Sequence, residues 1–206
     1  MSKKNIPVKP NETYTLTIRD LGIHGEGIGA VDDFTVFVPG ALPGETIQAM
    51  IVTAKKSYAT GRLISIETAS LHRTTPACPV CHACGGCQIS HLTYEGQLAV
   101  KERRVKDVMV RIGGCEESLV RPIIGAQHPW NYRNKMAVPV SQVTSGPVLG
   151  YYRQGSHQVI PIASCAIQEE ENNRLLRFAQ GFMTRHQLTG YNEKTGRGSV
   201  RHIMGR

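Results

Sequence analysis

The cysteines between residues 78 and 88, in the sequence CPVCHACGGCQ, are the side chains of this chain best suited to chemistry. Thiolates bind zinc and iron tightly, and clustered thiols in a reducing compartment indicate metal ligands or catalysts before disulfides. The pattern therefore predicts a metal ion or an iron–sulfur cluster. Four of the six cysteines in the 206 residues stand here at every third position: Cys78, Cys81, Cys84 and Cys87.

Two kinds of metal centre compete for these thiols. A structural zinc usually joins two C-x₂-C pairs about 15–20 residues apart, so these crowded cysteines would need a distant partner or a histidine such as His82 or His91. An iron–sulfur cluster takes three cysteines from one tight loop and a fourth from elsewhere. Cys165 ends a predicted strand and precedes a predicted helix, which is a good place for such a ligand. Cys115 follows two glycines on a loop and has no evident role.

The N-terminal part of the sequence predicts short strands. Alternating segments such as TYTLTI, FTVFV, TIQAMIV and RLISIE fill residues 13–69, and FTVFV places Phe34, Val36 and Val38 on one face. Five strands in so short a stretch favour a small closed barrel. The glycines of GIHGEGIGA lead into a strand instead of a helix, which argues against a dinucleotide-binding loop.

The part after the cysteines predicts helices and extended segments. YEGQLAVKERRVKDVMVR reads as a helix that ends at Gly113 and Gly114, and EEENNRLLRFAQGFMTRHQ reads as a second helix. Apolar residues recur at helical spacing in both, so we expect each helix to bury one side. Between the helices, LVRPIIG, KMAVPVS, PVLGYYR and HQVIPIA read as extended.

The charge distribution favours an anionic partner. The formal net charge is +8, and residues 126–206 hold ten basic and four acidic side chains. In NYRNK, we predict Arg133 and Lys135 as phosphate contacts of RNA and Tyr132 as a stacking side chain. Neither a signal peptide nor a membrane-spanning run is recognisable, so we expect a cytoplasmic protein without a membrane partner.

Several motifs, in the same order, resemble the bacterial RNA uracil-5-methyltransferases. CPVCHACGGCQISHL is similar to the cluster loop of that family, C-x₅-C-G-G-C with one distant cysteine. DLGIHGEGIGAVDDFTVFVPGALPGE is similar to the TRAM domain, an RNA-binding barrel, while NYRNKMAVPV, LGYYRQGSHQVIPIASCAIQ and VRHIMGR are similar to the family's central domain. Carried over by position, the resemblance places Cys81 inside the x₅ gap. It implies a [4Fe–4S] cluster on Cys78, Cys84, Cys87 and Cys165.

The resemblance also implies a fold and a reaction. The chain should be mainly β with α+β character, with an OB-like five-stranded TRAM barrel over residues 1–72 and a partial α+β central domain holding the iron–sulfur cluster over residues 73–206. In the family, an enzyme thiolate adds to C6 of a flipped-out uracil, S-adenosylmethionine donates the methyl group, and 5-methyluridine results.

The family resemblance further implies a division of labour. The nucleophile, the base and the methyl-donor site belong to a C-terminal methyltransferase domain in the family. We therefore expect no catalytic and no cofactor-binding residue in this chain, and no methylation by the chain alone. Its expected role is to bind RNA, ribosomal RNA in particular, for such a methyltransferase domain.

Two other hypotheses remain open from the residues alone. One is a zinc-stabilised module that binds RNA or the ribosome and has no catalytic parent. The other is an iron–sulfur electron-transfer protein, which would leave the basic charge and the barrel unexplained.

Overall fold

The computed structural model describes residues 6–206 and divides into two compact units. The first unit comprises the described residues up to Thr75 together with Gln88–Ile123, and the second comprises Pro76–Cys87 and Ile124–Arg206. The chain thus passes between the units more than once. The functional domains expected over residues 1–72 and 73–206 stay a prediction.

The first unit is built on a sheet that curls around its own core. All neighbouring strands are antiparallel except β4 and β6, which run parallel. β1 and β2 are two parts of one bent segment, of which the first pairs with β5 and the second with β3. This pairing matches the small barrel expected from the sequence, with its first strand split at residues 18–19. The sheet order is β1-β5-β6-β4-β3-β2, with β1 Thr13–Thr17, β2 Asp20–Leu21, β3 Glu26–Val31, β4 Phe34–Pro39, β5 Thr46–Ala54 and β6 Tyr58–Thr68.

Alternation along the strands forms the core of the first unit. Val36 and Val38 of β4 are fully buried, as the period-2 pattern predicts. β3 and β4 are joined by Asp32 and Asp33, whose φ angles of 45° and 62° both lie in the left-handed region. Such a two-residue turn matches the right-handed twist of the two strands it joins. The other fully buried core residues include Ile47, Ala49, Ile51 and Ala59.

The first predicted helix forms, but much of its apolar side stays exposed. α1 spans Tyr94–Arg111, and the side chain of Thr93 caps it by accepting a hydrogen bond from the backbone of Gly96. Gly96 lies against His72 and Leu92 and is the buried residue of the helix. A short 3₁₀ helix, Glu117–Leu119, follows. The expectation that the helix buries an apolar side is wrong for its second half, where Val105, Val108, Met109 and the following Ile112 are exposed.

The second unit pairs a four-stranded antiparallel sheet with one helix. Leu176, Ala179 and Met183 of that helix pack with Met136, Val138 and Leu149 of the sheet. LVRPIIG forms no strand, consistent with its proline at position 122, which lacks a backbone donor. The sheet order is β10-β7-β8-β9, with β7 Met136–Val143, β8 Gly146–Tyr152, β9 Val159–Pro161 and β10 His202–Gly205, and the helix is α2, Glu170–Arg185.

Two aromatic residues of α2 depart from the expected burial. Phe178 and Phe182 fall on the apolar side by sequence, yet they are 68% and 44% exposed and stack on each other.

Across the described part of the chain, no helix is long and apolar enough to cross a bilayer.

A buried ion pair fixes the loop between β4 and β5 of the first unit. Glu45 is fully buried, and its two carboxylate oxygens lie 2.5 and 2.8 Å from the Nε and Nη2 atoms of Arg73. The backbone amides of Leu42 and Ser70 also donate to this carboxylate, and Arg73 donates to the carbonyl of Gly40. Burial alone would raise the pKa of Glu45, but the hydrogen bonds from Arg73, Leu42 and Ser70 lower it overall.

Replacing Glu45 with glutamine should lower the free energy of unfolding by about 3 kcal/mol. The substitution leaves the guanidinium charge of Arg73 without its carboxylate partner, and the Arg73 side chain is only partly exposed to water. The folded pKa of Glu45 is depressed, so its stabilising effect is present above the usual glutamate pKa of about 4.3. The effect is lost as the pH falls through the folded pKa. Urea denaturation at neutral and acidic pH measures both.

Asp107→Asn is the matched control, because Asp107 pairs with Arg103 and Arg111 at the surface of α1. Such exposed pairs contribute about 0–1 kcal/mol. Equal losses of stability in the two variants would contradict a stabilising role for the buried Glu45–Arg73 pair. So would a stability difference between wild type and Glu45→Gln that does not change with pH.

Candidate metal centre and nucleic-acid interface

The segment Pro76–Cys87, here called the cysteine loop, is a series of turns attached to the sheet of the second unit. Within it, the amide of Cys84 donates to the carbonyl of Val80 at 2.8 Å. The amide of Gly85 donates to the carbonyl of Tyr152 at 2.8 Å, and Cys84 pairs with Arg153 as an isolated bridge. The end of β8 therefore fixes the second half of the cysteine loop.

Cys165 is held by buried amide side chains. Asn173, at the start of α2, accepts from the Cys165 amide at 2.8 Å and donates to the Cys165 carbonyl at 3.3 Å. Gln168 is fully buried and donates to the Asn173 oxygen at 2.9 Å. Gln168 in turn accepts from the hydroxyl of Tyr151 at 2.7 Å. These four residues form the Cys165 network, in which buried polar groups satisfy one another.

The thiols of the expected ligand set lie close enough to affect one another. Burial raises the pKa of Cys84, and Cys78 and Cys165 raise it further. Burial also raises the pKa of Cys87, with Cys165 and Cys84 again adding to the rise. The Arg133 guanidinium opposes these increases in both thiols. The structure thus brings together the thiols of Cys78, Cys84, Cys87 and Cys165.

The remaining cysteines are placed differently. All six are free and half-buried, but Cys81 is not among the strongest influences on the pKa of Cys84 or Cys87. Cys115 belongs to the first unit, where its thiol lies 3.7 Å from the carbonyl of Gly113.

The donor set can be compared with what each metal centre needs. Within residues 6–206, no three His, Cys, Asp or Glu side chains converge tightly enough to hold one metal ion. The ligands of a four-iron cluster bind different iron atoms, so their sulfur atoms stand further apart than ligands of one ion. Four neighbouring half-buried thiols fit the donor chemistry of such a cluster.

The three residues predicted to contact RNA lie in one segment with different exposures. Tyr132 is 62% exposed and Lys135 is exposed, whereas Arg133 is half-buried. Arg133 donates its backbone amide to the carbonyl of Ile167 at 2.8 Å, which aligns it beside the chain that follows Cys165. The Arg133 guanidinium lies close enough to Cys84 and Tyr151 to oppose the rise in their pKa values, and its contact with RNA stays a prediction.

Sequence reasoning missed the residues of the Cys165 network other than the cysteine. Asn172 and Asn173 were a weak signal. Asparagine is a poor helix former, so two in a row near the start of a predicted helix suggest that their side chains make specific hydrogen bonds. Gln168 and Tyr151 gave no signal, since their partners lie far away in the sequence.

Comparison with known proteins identifies the barrel of the first unit. Residues 7–64 match the TRAM domain. The TRAM domain thus covers β1–β5 and most of β6.

The whole chain is similar to longer bacterial proteins. It is 44% identical over 205 residues to a protein of Bacillus cereus named uncharacterized RNA methyltransferase, covering 100% of this chain and 45% of that protein. A protein of the same description from Halalkalibacterium halodurans is 41% identical over 206 residues, with 100% and 45% covered. The chain therefore spans less than half the length of the curated relatives it matches.

One solved structure shares the fold beyond the TRAM domain. The crystal structure of Pyrococcus abyssi tRNA (uracil-54, C5)-methyltransferase in complex with S-adenosyl-L-homocysteine superposes with a TM-score of 0.67. The match has 21% identity and covers 92% of this chain and 42% of that one. The shared fold thus extends over parts of both units.

Replacing Asn173 with alanine should destabilise the chain by about 2–3 kcal/mol, because Gln168 and both peptide groups of Cys165 lose a buried partner. In chelator-treated protein, alkylation of Cys165 by iodoacetamide should be faster than in the unaltered chain, as measured by peptide mass spectrometry.

Asn172→Ala is the matched control, since Asn172 is also buried but donates to the carbonyl of Asn134. It should lower stability and leave the alkylation rate of Cys165 unchanged. The same acceleration in both variants would show that Asn173 does not hold Cys165 specifically.

Proposed function

We propose that these 206 residues form the RNA-binding part of an S-adenosylmethionine-dependent RNA uracil-5-methyltransferase. The observation that carries the proposal is the similarity of the entire chain to proteins named RNA methyltransferases. The TRAM domain supports the RNA-binding role. The solved structure with the same fold is named as a uracil C5 methyltransferase and contains S-adenosyl-L-homocysteine, the product of the methyl donor.

The substrate in this proposal is a uridine of ribosomal RNA, specifically 23S RNA, and the product is 5-methyluridine. The preference for ribosomal RNA comes from the association of TRAM domains with that branch of the family. Binding assays with 23S RNA fragments and with transfer RNA transcripts separate the two substrates. Because RNA and reduced thiols coexist in the cytoplasm, a cytoplasmic location belongs to the same proposal.

In this proposal the chain supplies RNA contacts and no catalytic residue. Lys135 offers a cation to the phosphate backbone, and the exposed ring of Tyr132 offers a surface on which an unstacked base can lie. Arg133 offers a second cation to the phosphate backbone, and its guanidinium also opposes the rise in the pKa of the Cys84 and Cys87 thiols. Its loss should therefore affect both the thiol site and RNA binding.

The residues that would hold a [4Fe–4S] cluster are Cys78, Cys84, Cys87 and Cys165. When bound, such a cluster supplies a covalent cross-link between distant segments, because methyl transfer from S-adenosylmethionine moves no net electrons. The chain's contribution is to hold the thiols: Gly85 ties the cysteine loop to β8, and Asn173 orients Cys165.

Ligand choice predicts the effect of two cysteine substitutions. Cys165→Ala should abolish the visible absorbance of anaerobically purified protein and its iron and sulfide content, because one of four ligands is lost. Cys81→Ser should leave both unchanged. Ultraviolet–visible spectra with iron, sulfide and zinc analysis measure the outcome.

The same measurement tests the alternative of a zinc-stabilised RNA-binding module. Stoichiometric zinc in colourless protein would contradict the iron–sulfur cluster and support the zinc-stabilised module. Loss of the absorbance in Cys81→Ser but not in Cys165→Ala would show that the proposed ligand set contains the wrong thiols.

RNA binding should depend on Tyr132 and Lys135. Lys135→Ala should reduce the slope of log Kd against log salt concentration by about 1, because one phosphate contact is lost. Tyr132→Ala should weaken binding by about 1–3 kcal/mol, the range for loss of one base stack.

Fluorescence anisotropy with single-stranded 23S RNA fragments measures both effects. Arg177→Ala is the charge-matched control, because Arg177 is exposed on α2 and paired with Glu170. If Lys135→Ala and Arg177→Ala changed the salt dependence of RNA binding equally, Lys135 would not make a specific phosphate contact.

A further inference from the structure

A shallow groove lies where the cysteine loop meets the turn after β8. The turn, residues 153–158 and here called the hairpin turn, joins β8 to β9. Gly85, Gly86 and Tyr152 line the groove together with most of the hairpin turn. Its volume is about 560 Å³, and it is widely open to solvent.

The hairpin turn is rigidly built. The amide of Arg153 donates to the carbonyl of Gln158 at 2.8 Å, and the Arg153 Nε atom donates to the Gln158 side chain at 2.8 Å. The hydroxyl of Ser156 accepts from the Gln158 amide at 3.2 Å. The groups on this turn are therefore preorganised, which limits the ordering cost of binding.

A stacked pair of rings forms one wall of the groove. The ring of His157 lies on that of Tyr152, with centroids 5.0 Å apart and an interplanar angle of 22°. Glu193 fixes the imidazole through a 2.7 Å contact at Nδ1, yet the His157 side chain remains 73% exposed. A planar ring that is both oriented and exposed suits stacking with a nucleobase.

The opposite wall is backbone without side chains. A Cβ atom on Gly85 would lie 3.0 Å from the Tyr152 carbonyl oxygen, so glycine lets the cysteine loop approach β8. A Cβ atom on Gly86 would meet only the Cys84 sulfur within 4 Å, at 3.4 Å. The space in front of Gly86 is thus open to a ligand.

The charge near the groove favours an anion. Arg153 is exposed in the groove, and residues 126–168 contain no acidic side chain. Glu193, the acid that reaches the groove wall, is occupied by His157 and lies 3.9 Å from the Nη2 atom of Arg201. A cation, an exposed ring and open backbone are the features that bind single-stranded RNA.

We propose that this groove binds one nucleotide of single-stranded RNA, with its base stacked on His157 and its phosphate beside Arg153. The site is separate from the Tyr132 and Lys135 contacts proposed above, and it rests on the proposed RNA-binding function. It gives the cysteine loop a direct place in the RNA interface, because Gly85 and Gly86 line the groove.

The test uses the whole chain and a short single-stranded RNA of mixed sequence containing 4-thiouridine. His157→Ala should weaken binding at least about fivefold, the lower limit for loss of a base stack. His157→Phe should restore most of that affinity, because it keeps an aromatic ring while both variants release Glu193. Arg153→Gln should reduce the slope of log Kd against log salt concentration by about 1.

His186→Ala is the matched control, since His186 is exposed directly after α2 and packs on Phe182 with ring centroids 4.4 Å apart. It should leave the affinity unchanged. Photo-crosslinking followed by mass spectrometry should place 4-thiouridine on the peptide that contains residues 153–158.

The outcomes separate the groove from the broader function. Binding that depends on Tyr132 and Lys135 but not on His157, with crosslinks outside residues 153–158, would overturn the groove and leave the proposed function standing. Failure of the unaltered chain to bind any of the RNAs would overturn both. Equal losses in His157→Ala and His157→Phe would also reject stacking.

Discussion

The buried hydrogen bonds around Asn173 are the interaction on which the candidate site of the second unit depends. Cys165 stands between a short strand and α2, where a backbone without partners would be free to move. Asn173 binds both peptide groups of Cys165, and Gln168 connects Asn173 to Tyr151 of β8. A thiol that belongs to an irregular segment is thereby placed with the accuracy of a helix and a sheet.

The first unit solves a similar problem with charge. The loop between β4 and β5 would leave backbone amides buried without acceptors, and the Glu45 carboxylate accepts from the amide of Leu42. Arg73 balances the carboxylate and reaches the carbonyl of Gly40. Burying the pair costs desolvation energy, which its hydrogen bonds offset. In both units, buried polar side chains make hydrogen bonds to irregular backbone segments that no sheet or helix pairs.

Sequence patterns predicted the regular elements better than their surroundings. Period-2 alternation identified the buried face of β4, and helical spacing located both helices. The same spacing misjudged Val105, Val108 and Phe178, since a pattern of apolar residues marks one side of a helix but does not show whether anything covers it. Covering depends on contacts between distant segments.

The candidate site shows the same limit. Cysteine spacing and family resemblance selected thiols that the fold brings together. The position of Arg133 beside the chain that follows Cys165 was not predictable, because it depends on the pairing of residues 131–133 with residues 166–168. Nor could composition reveal Gln168, a polar residue that is fully buried because its three partners come from separate segments.

The arrangement of the cysteine loop also imposes an order on biosynthesis. Seventy-seven residues stand between Cys87 and Cys165, so at about 5–20 residues per second the loop is made roughly 4–15 seconds before Cys165. The carbonyl of Tyr152, which anchors Gly85, is likewise synthesised later. During that interval the nascent loop has four cysteine thiols and no sheet to hold them. The four thiols that are proposed as cluster ligands are therefore together only after Cys165 has been translated.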